Sequence, residues 1–147
     1  MIAVIQRVKK ASVSVENKLI SEIKKGYTIL VGFCQGDNDK ITEKMAEKIA
    51  NLRIMADNQG KMNLNLSQTN AEILLISQFT LCADTSQRRP SFIKALKEDE
   101  AKKLYELLIK KLQEKSLSVK TGKFGEYMQV EIINDGPTTI ILDSKDF

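Results

Sequence analysis

Ala71-Glu72-Ile73-Leu74-Leu75-Ile76-Ser77-Gln78-Phe79-Thr80-Leu81-Cys82 is the stretch on which the reading of the fold turns. Its first half is nearly continuous Ile and Leu, the pattern of a strand buried on both faces. Its second half replaces that run with small, polar and aromatic residues. Continued as a strand, it places Ser77 and Phe79 on one face and Gln78 and Thr80 on the other. Burying Gln78 costs roughly a few kcal/mol unless its amide is hydrogen-bonded. Two readings stay open: the strand emerges at a sheet rim, or its polar end serves a site.

Working outward, Tyr27–Cys34 is a second apolar run fit for a doubly buried strand. Residues 1–8 and 11–16 read as two further strands, the second with Val13 and Val15 on one face, and Glu16-Asn17-Lys18 as the hairpin turn into Leu19–Ile23. After Gly36-Asp37-Asn38-Asp39, which supplies candidate N-caps, Ile41, Met45, Ile49 and Leu52 recur at helical spacing. A polar loop, 83–91, precedes a second amphipathic helix running to about Lys115, its apolar face Ala101, Leu104, Tyr105, Leu108 and Leu112. Strands return at 127–133 and 138–142, joined by a turn across Asn134–Pro137. The sum is an α+β domain spanning 1–147, with a mostly antiparallel, barrel-like β-sheet and two amphipathic helices packed on one side in β/β/α layers.

Composition narrows the chemistry. The 147 residues are 42% hydrophobic and 29% charged, in the range of a globular protein. No apolar stretch approaches the ~20 residues of a membrane span, and Met1–Val8 reads as a first strand rather than a signal peptide. Both point to a cytoplasmic protein. The net charge of +4 favours a polyanionic partner, weakly. Cys34 and Cys82 end apolar runs without CxxC spacing, so they read as small buried residues rather than zinc or redox ligands. Most decisive is the absence of histidine, which removes the commonest general base.

Four segments carry candidate chemistry. Thr80 is a possible nucleophile, but its hydroxyl needs a base, and no Lys or carboxylate stands at a diagnostic spacing. Gly136-Pro137, between two strand-like runs, offers carbonyl oxygens with no side chain in the way. Its residues alone favour a trans turn, since only about 5–6% of X–Pro bonds are cis. Arg88 and Arg89, beside Pro90 and Phe92, either contact phosphate or stack on a base, or simply flank the helix start. Arg7, inside an apolar strand, calls for a carboxylate or main-chain carbonyl partner. Phe124 and Met128, near Gly122 and Gly125, are either a pocket wall or core. A non-catalytic RNA-binding module and a small-molecule hydrolase or isomerase using Thr80 both fit these residues.

Taken in order, Ala3–Val8 with Ala11-Ser12-Val13, Gly60–Asn65, Ser77-Gln78-Phe79-Thr80-Leu81, Arg89-Pro90-Ser91-Phe92, Thr121-Gly122-Lys123-Phe124, Met128-Gln129-Val130 and Asn134-Asp135-Gly136-Pro137 resemble the D-aminoacyl-tRNA deacylases, chiral-proofreading enzymes also called D-tyrosyl-tRNA deacylases. Each piece is short; the ordered set spans essentially the whole chain. The resemblance implies hydrolysis of the ester in D-aminoacyl-tRNA, and of glycine mischarged on tRNA for alanine, with no metal or organic cofactor. It implies a homodimer in which Gly136-Pro137 is a cis dipeptide entering the partner's site and rejecting L-residues, with Arg7 bracing it. Ser77, Gln78, Phe79 and Thr80 would hold the aminoacyl end, Phe124 and Met128 would line its pocket, and the terminal ribose 2′-hydroxyl would assist hydrolysis. Two departures stand out: the loop Asp84–Arg89 is shorter than is common and lacks its glycine, and Thr138 replaces a usual Val.

Overall fold

The computed structural model describes residues 1–147, and its architecture follows from one long strand. β1 (Ile2–Val15) pairs antiparallel with β2 (Lys18–Ile23) through its second half and with β3 (Gly26–Gly32) through its first half. The turn between β1 and β2 takes positive φ at Glu16 and Asn17, +49° and +62°, the left-handed geometry that a two-residue hairpin needs. Along its other edge β1 pairs with β8 (Gln129–Asp143) over nearly its full length. β3 then pairs parallel with β6 (Glu72–Ser77), and β6 parallel with β7 (Ser118–Thr121). The sheet is therefore mostly antiparallel, as expected, with a parallel portion at β3, β6 and β7. It curls until β7 meets β2 without a ladder: Ser21 donates its hydroxyl to the Thr121 carbonyl at 2.7 Å, and Lys120 reaches the Glu22 carbonyl at 2.8 Å. The result is a nearly closed barrel.

Two apolar cores divide the side chains of β6 by parity. Leu74 and Ile76 face the barrel interior with Val8, Ala11, Val13 and Ile23. Ile73 and Leu75 face outward, where α1 (Asp39–Asn51) and α2 (Glu98–Glu114) cover them with Met45, Ile49, Leu104, Leu108 and Leu112. Both faces of this strand are thus dry, as its composition implies. α1 begins at Asn38, whose side chain accepts from the Ile41 N–H at 3.2 Å, and the helices are laced by Lys111–Glu43 and Lys115–Glu47. A small hairpin, β4 (Met55–Ala56) with β5 (Met62–Leu64), lies apart from the main sheet.

Three expected boundaries move. Residues 1–8 and 11–16 are one strand, because a bulge at Lys9 lets the exposed lysines pass without breaking the ladder. Residues 127–133 and 138–142 are not two strands joined by a turn. They form the single strand β8, in which Gly136–Pro137 sits within a local irregularity. Finally, β6 stops at Ser77 and the chain coils into a 3-10 turn, Phe79–Cys82. The face assignment of Ser77 through Thr80 by strand alternation is therefore overturned.

The parallel pairing of β3 and β6 starts at a close approach. A methyl group added at Gly26 would lie 1.9 Å from the Glu72 carbonyl oxygen. Gly26→Ala must push these strands apart, and we expect a loss of at least about 3 kcal/mol of stability, read from the urea unfolding midpoint.

Candidate functional site

The carboxyl end of β6 makes one wall of a cleft of about 550 Å³. At that end the ladder's last act is a bond from the Gln78 N–H to the Val31 carbonyl at 2.7 Å, after which the backbone turns. The turn closes through Leu81 N–H to the Gln78 carbonyl, 3.2 Å, and Ala83 N–H to the Thr80 carbonyl, 3.1 Å. Gly32 makes this possible, since a Cβ there would sit 2.8 Å from the Gln78 oxygen and 2.9 Å from Leu81 Cβ. Ser77, Gln78 and Phe79 line the cleft; Phe124 and Met128 face them from the segment between β7 and β8. These five are brought together as the sequence suggests. Thr80 lies just beyond the lining, exposed, and its Oγ1 accepts from Gln78 Nε2 at 2.6 Å.

The opposite wall is shaped by glycine. A Cβ at Gly122 would meet Met128 Sδ at 2.4 Å, so a side chain there would displace Met128 from its present position. Gly125 takes φ +78° and carries Phe124 toward Tyr105, ring centroids 5.4 Å apart. The Tyr105 hydroxyl donates to the Leu75 carbonyl at 2.8 Å, and burial pushes its pKa above the usual tyrosine range. Cleft, helix and β6 are thereby linked. Glu98 and Tyr127 are also among the lining residues, and sequence reasoning gave neither a role. Tyr127 is 85% exposed, a signal that only the folded chain provides.

Arg7 and Gly136–Pro137 form a second locus. Gln6 pairs with Thr139 and Val8 with Asn134, so Arg7 alone stands opposite the four residues 135–138. Within this bulge the Gly136–Pro137 bond is cis, and Gly136 has φ +129°. The Arg7 guanidinium donates from Nη1 to the Ile54 carbonyl at 2.7 Å and from Nε to the Asp135 carbonyl at 3.1 Å, with Asp135 Oδ2 at 3.4 Å. Both kinds of partner that a strand arginine calls for are present. Gly136 and Pro137 themselves are exposed and take no part in lining the cleft of their own chain.

Arg88 and Arg89 are also outside the cleft, exposed on the 83–91 loop. The loop is tied at its base, where Asp84 and Ser91 exchange backbone bonds of 2.8 and 3.0 Å. Lys94 pairs with the Asp84 carboxylate at 2.8 Å and the Ser86 N–H donates to it at 3.0 Å, holding its pKa far below the usual carboxylate range. The cysteines correct an expectation outright: Cys34 and Cys82 are not separate buried residues but are joined in a disulfide. No three His, Cys, Asp or Glu side chains are grouped to hold a metal ion.

The profile of the family described as D-Tyr-tRNA(Tyr) deacylase matches residues 4–143. The chain belongs to this family. A D-aminoacyl-tRNA deacylase of Thermoanaerobacter sp. (strain X514) is 49% identical over 146 residues, 99% of this chain and 98% of the relative. One of Fervidobacterium nodosum is 51% identical over 146 residues, with the same coverage. Among solved structures, the c-Myc DNA Unwinding Element Binding Protein superposes with TM-score 0.92 at 41% identity, covering 97% of this chain and 98% of that one. A probable eukaryotic D-amino acid tRNA deacylase, 15% identical, shares the fold at TM-score 0.81, covering 96% of this chain and 97% of that one.

Two outcomes follow from this geometry. Arg7→Met leaves the Ile54 and Asp135 acceptors without their charged donor, and stability should drop by about 2–3 kcal/mol in urea unfolding. Because Asp84 has a depressed folded pKa, its tether is fully present above the unfolded value of about 4 and weakens only as pH falls well below it. Amide exchange at Ser86 should therefore stay slow down to pH ~4, whereas Asp84→Asn should speed it at neutral pH.

Proposed function

We propose that this D-aminoacyl-tRNA deacylase, an ester hydrolase by its family, is a chiral proofreader whose complete site needs two copies of the chain. The carrying observation is the separation of its two loci. Gly136 and Pro137 are exposed and do not line the cleft that Ser77, Gln78 and Phe79 form in their own chain. In a homodimer the bulge of one chain enters the cleft of the other. Its bare carbonyl oxygens accept the substrate's ammonium group and leave no room for an L side chain, whereas a D side chain points away and glycine has none. Glycine mischarged on tRNA for alanine is then also hydrolysed. Arg7 fixes the direction of those carbonyls.

In the cleft, Ser77, Gln78 and the Phe79 main chain hold the aminoacyl group between themselves and Phe124 and Met128. The Thr80 hydroxyl, oriented by Gln78, lies nearest the ester. Water adds to the ester carbonyl, the bond from acyl carbon to ribose 3′-oxygen breaks, and free D-amino acid and tRNA leave. In a chain without histidine, the terminal 2′-hydroxyl of the RNA assists this attack, and the protein contributes position and polarisation. Arg88 and Arg89 contact the RNA backbone at the rim, and the enzyme works in the cytoplasm, where its substrate is made.

D- and L-tyrosyl-tRNA, each with and without the terminal 2′-hydroxyl, test the reading together. The D-ester should be cleaved at least about 100-fold faster than the L-ester. Removing the 2′-hydroxyl should cost on the order of 10²-fold or more. Thr80→Val should lower the rate by about tenfold with binding little changed. Salt-dependent binding of charged tRNA that leaves the ester intact would instead identify an RNA-binding module.

A further inference from the structure

The chain's two cysteines are bonded to each other across a sequence separation of 48. Cys82 ends the 3-10 turn Phe79–Cys82, so the bond acts directly on the backbone that carries Phe79 and Thr80. Cys34 also anchors the far end of the following loop. It bridges Ala95, its neighbour Gln35 donates to the Lys94 carbonyl at 2.8 Å, and Leu96 donates to the Phe33 carbonyl at 2.9 Å. Residues 82 to 95 therefore leave from and return to one point. That point is itself fixed, because the Asp37 carboxylate accepts from the Cys34 N–H at 2.6 Å. Phe92, on the returning limb, packs edge-on against Phe79 with centroids 5.1 Å apart.

Burial is unequal across the bond. Cys82 is 4% exposed, whereas Cys34 is half-buried, so an attacking thiolate approaches from the Cys34 side. Without the bond, the turn keeps its two backbone hydrogen bonds and its seat on Gly32. It would loosen rather than unfold.

We infer that the Cys34–Cys82 bond is a redox-controlled clamp on the turn that carries Phe79 and Thr80, opened by a dithiol reductant. The effect on rate rests on the deacylase reading of that turn; the clamp itself does not. A reductant thiolate attacks Cys34 Sγ, the S–S bond breaks, and Cys82 leaves as a thiolate that takes up a proton. The second reductant thiol then resolves the mixed disulfide, freeing the Cys34 thiol and forming the cyclic disulfide of the reductant. Two electrons and two protons pass from the dithiol to the cysteine pair. Reducing compartments hold such bonds open, so the enzyme works faster when its surroundings become oxidising.

The test compares oxidised protein with protein reduced by dithiothreitol, using native-state amide exchange and turnover of D-tyrosyl-tRNA. Reduction should speed exchange about tenfold within 79–96 and leave the rest unchanged. Deacylation should fall by about tenfold, as for a small misplacement of groups at the ester. Diamide should reverse both. Cys34→Ser/Cys82→Ser should match the reduced protein and ignore dithiothreitol; if it fails to fold, chemical reduction of the unaltered chain still decides. Equal exchange in the two redox states would overturn the clamp, as would full alkylation of both cysteines after diamide treatment. Exchange that responds while neither state cleaves D-tyrosyl-tRNA would keep the clamp and sink the deacylase reading.

Discussion

The parallel pairing of β3 with β6 is the constraint on which the rest of the site depends. Parallel strands end on the same side, so their carboxyl ends emerge next to each other. Val31 consequently pairs with Ser77 and receives the Gln78 N–H, and the cleft opens where the ladder runs out. The same adjacency brings Cys34 beside Cys82 and places the start of the 83–91 loop against the segment leading to α1. Gly26 at one end and Gly32 at the other permit the approach, each where a single methyl group would collide with backbone. Double burial of Ile73 through Ile76 then holds β6 in one register, since a one-residue slip would exchange the side chains of two separate cores.

Arg7 does for β8 what those glycines do for β6. A guanidinium with 11% exposed side chain is costly unless its donors are satisfied, and here main-chain carbonyls from two distant segments satisfy them. The bulge at 135–138 cannot relax into a regular strand without releasing the Asp135 carbonyl from that charge. A buried positive charge thus fixes the direction of backbone oxygens, a role that a methylene chain of equal length could not fill. Lysine would supply one compact charge where a planar fork is needed.

The elements that the sequence makes legible are those whose pattern is local. Both helices, the Glu16–Lys18 turn and the doubly buried run at 73–76 follow from periodicity and composition alone, and the resemblance places Ser77–Phe79 with Phe124 and Met128. What failed was non-local. The bulge at Lys9 and the irregularity at 135–138 look like strand ends in one dimension, because a solvated lysine pair and a Gly–Pro are ordinary turn chemistry. Only pairing of β1 with β8 on both sides of each interruption makes them bulges. The Cys34–Cys82 bond was hidden for the same reason: neither cysteine has a local partner, and their adjacency is a property of strand order. Likewise the 3-10 turn after Ser77 depends on Gly32 from another strand.

The proposed site is assembled from main chain, which has a consequence for how its selectivity would be held. Side-chain catalysis can tolerate some drift of the backbone, because a long side chain can swing to compensate. Carbonyl oxygens in a bulge and a peptide N–H in a 3-10 turn have no such freedom. Their positions are set by the Arg7 bonds, by the Tyr105 link to Leu75, and by the contact of Gly32 with the turn. Under the proposed reading, discrimination between mirror-image substrates by exclusion would be a property of stiffness, and the residues that control it need not touch substrate. The one disulfide likewise falls on the turn beside the cleft rather than across the apolar cores, which close through Leu, Ile and Met packing.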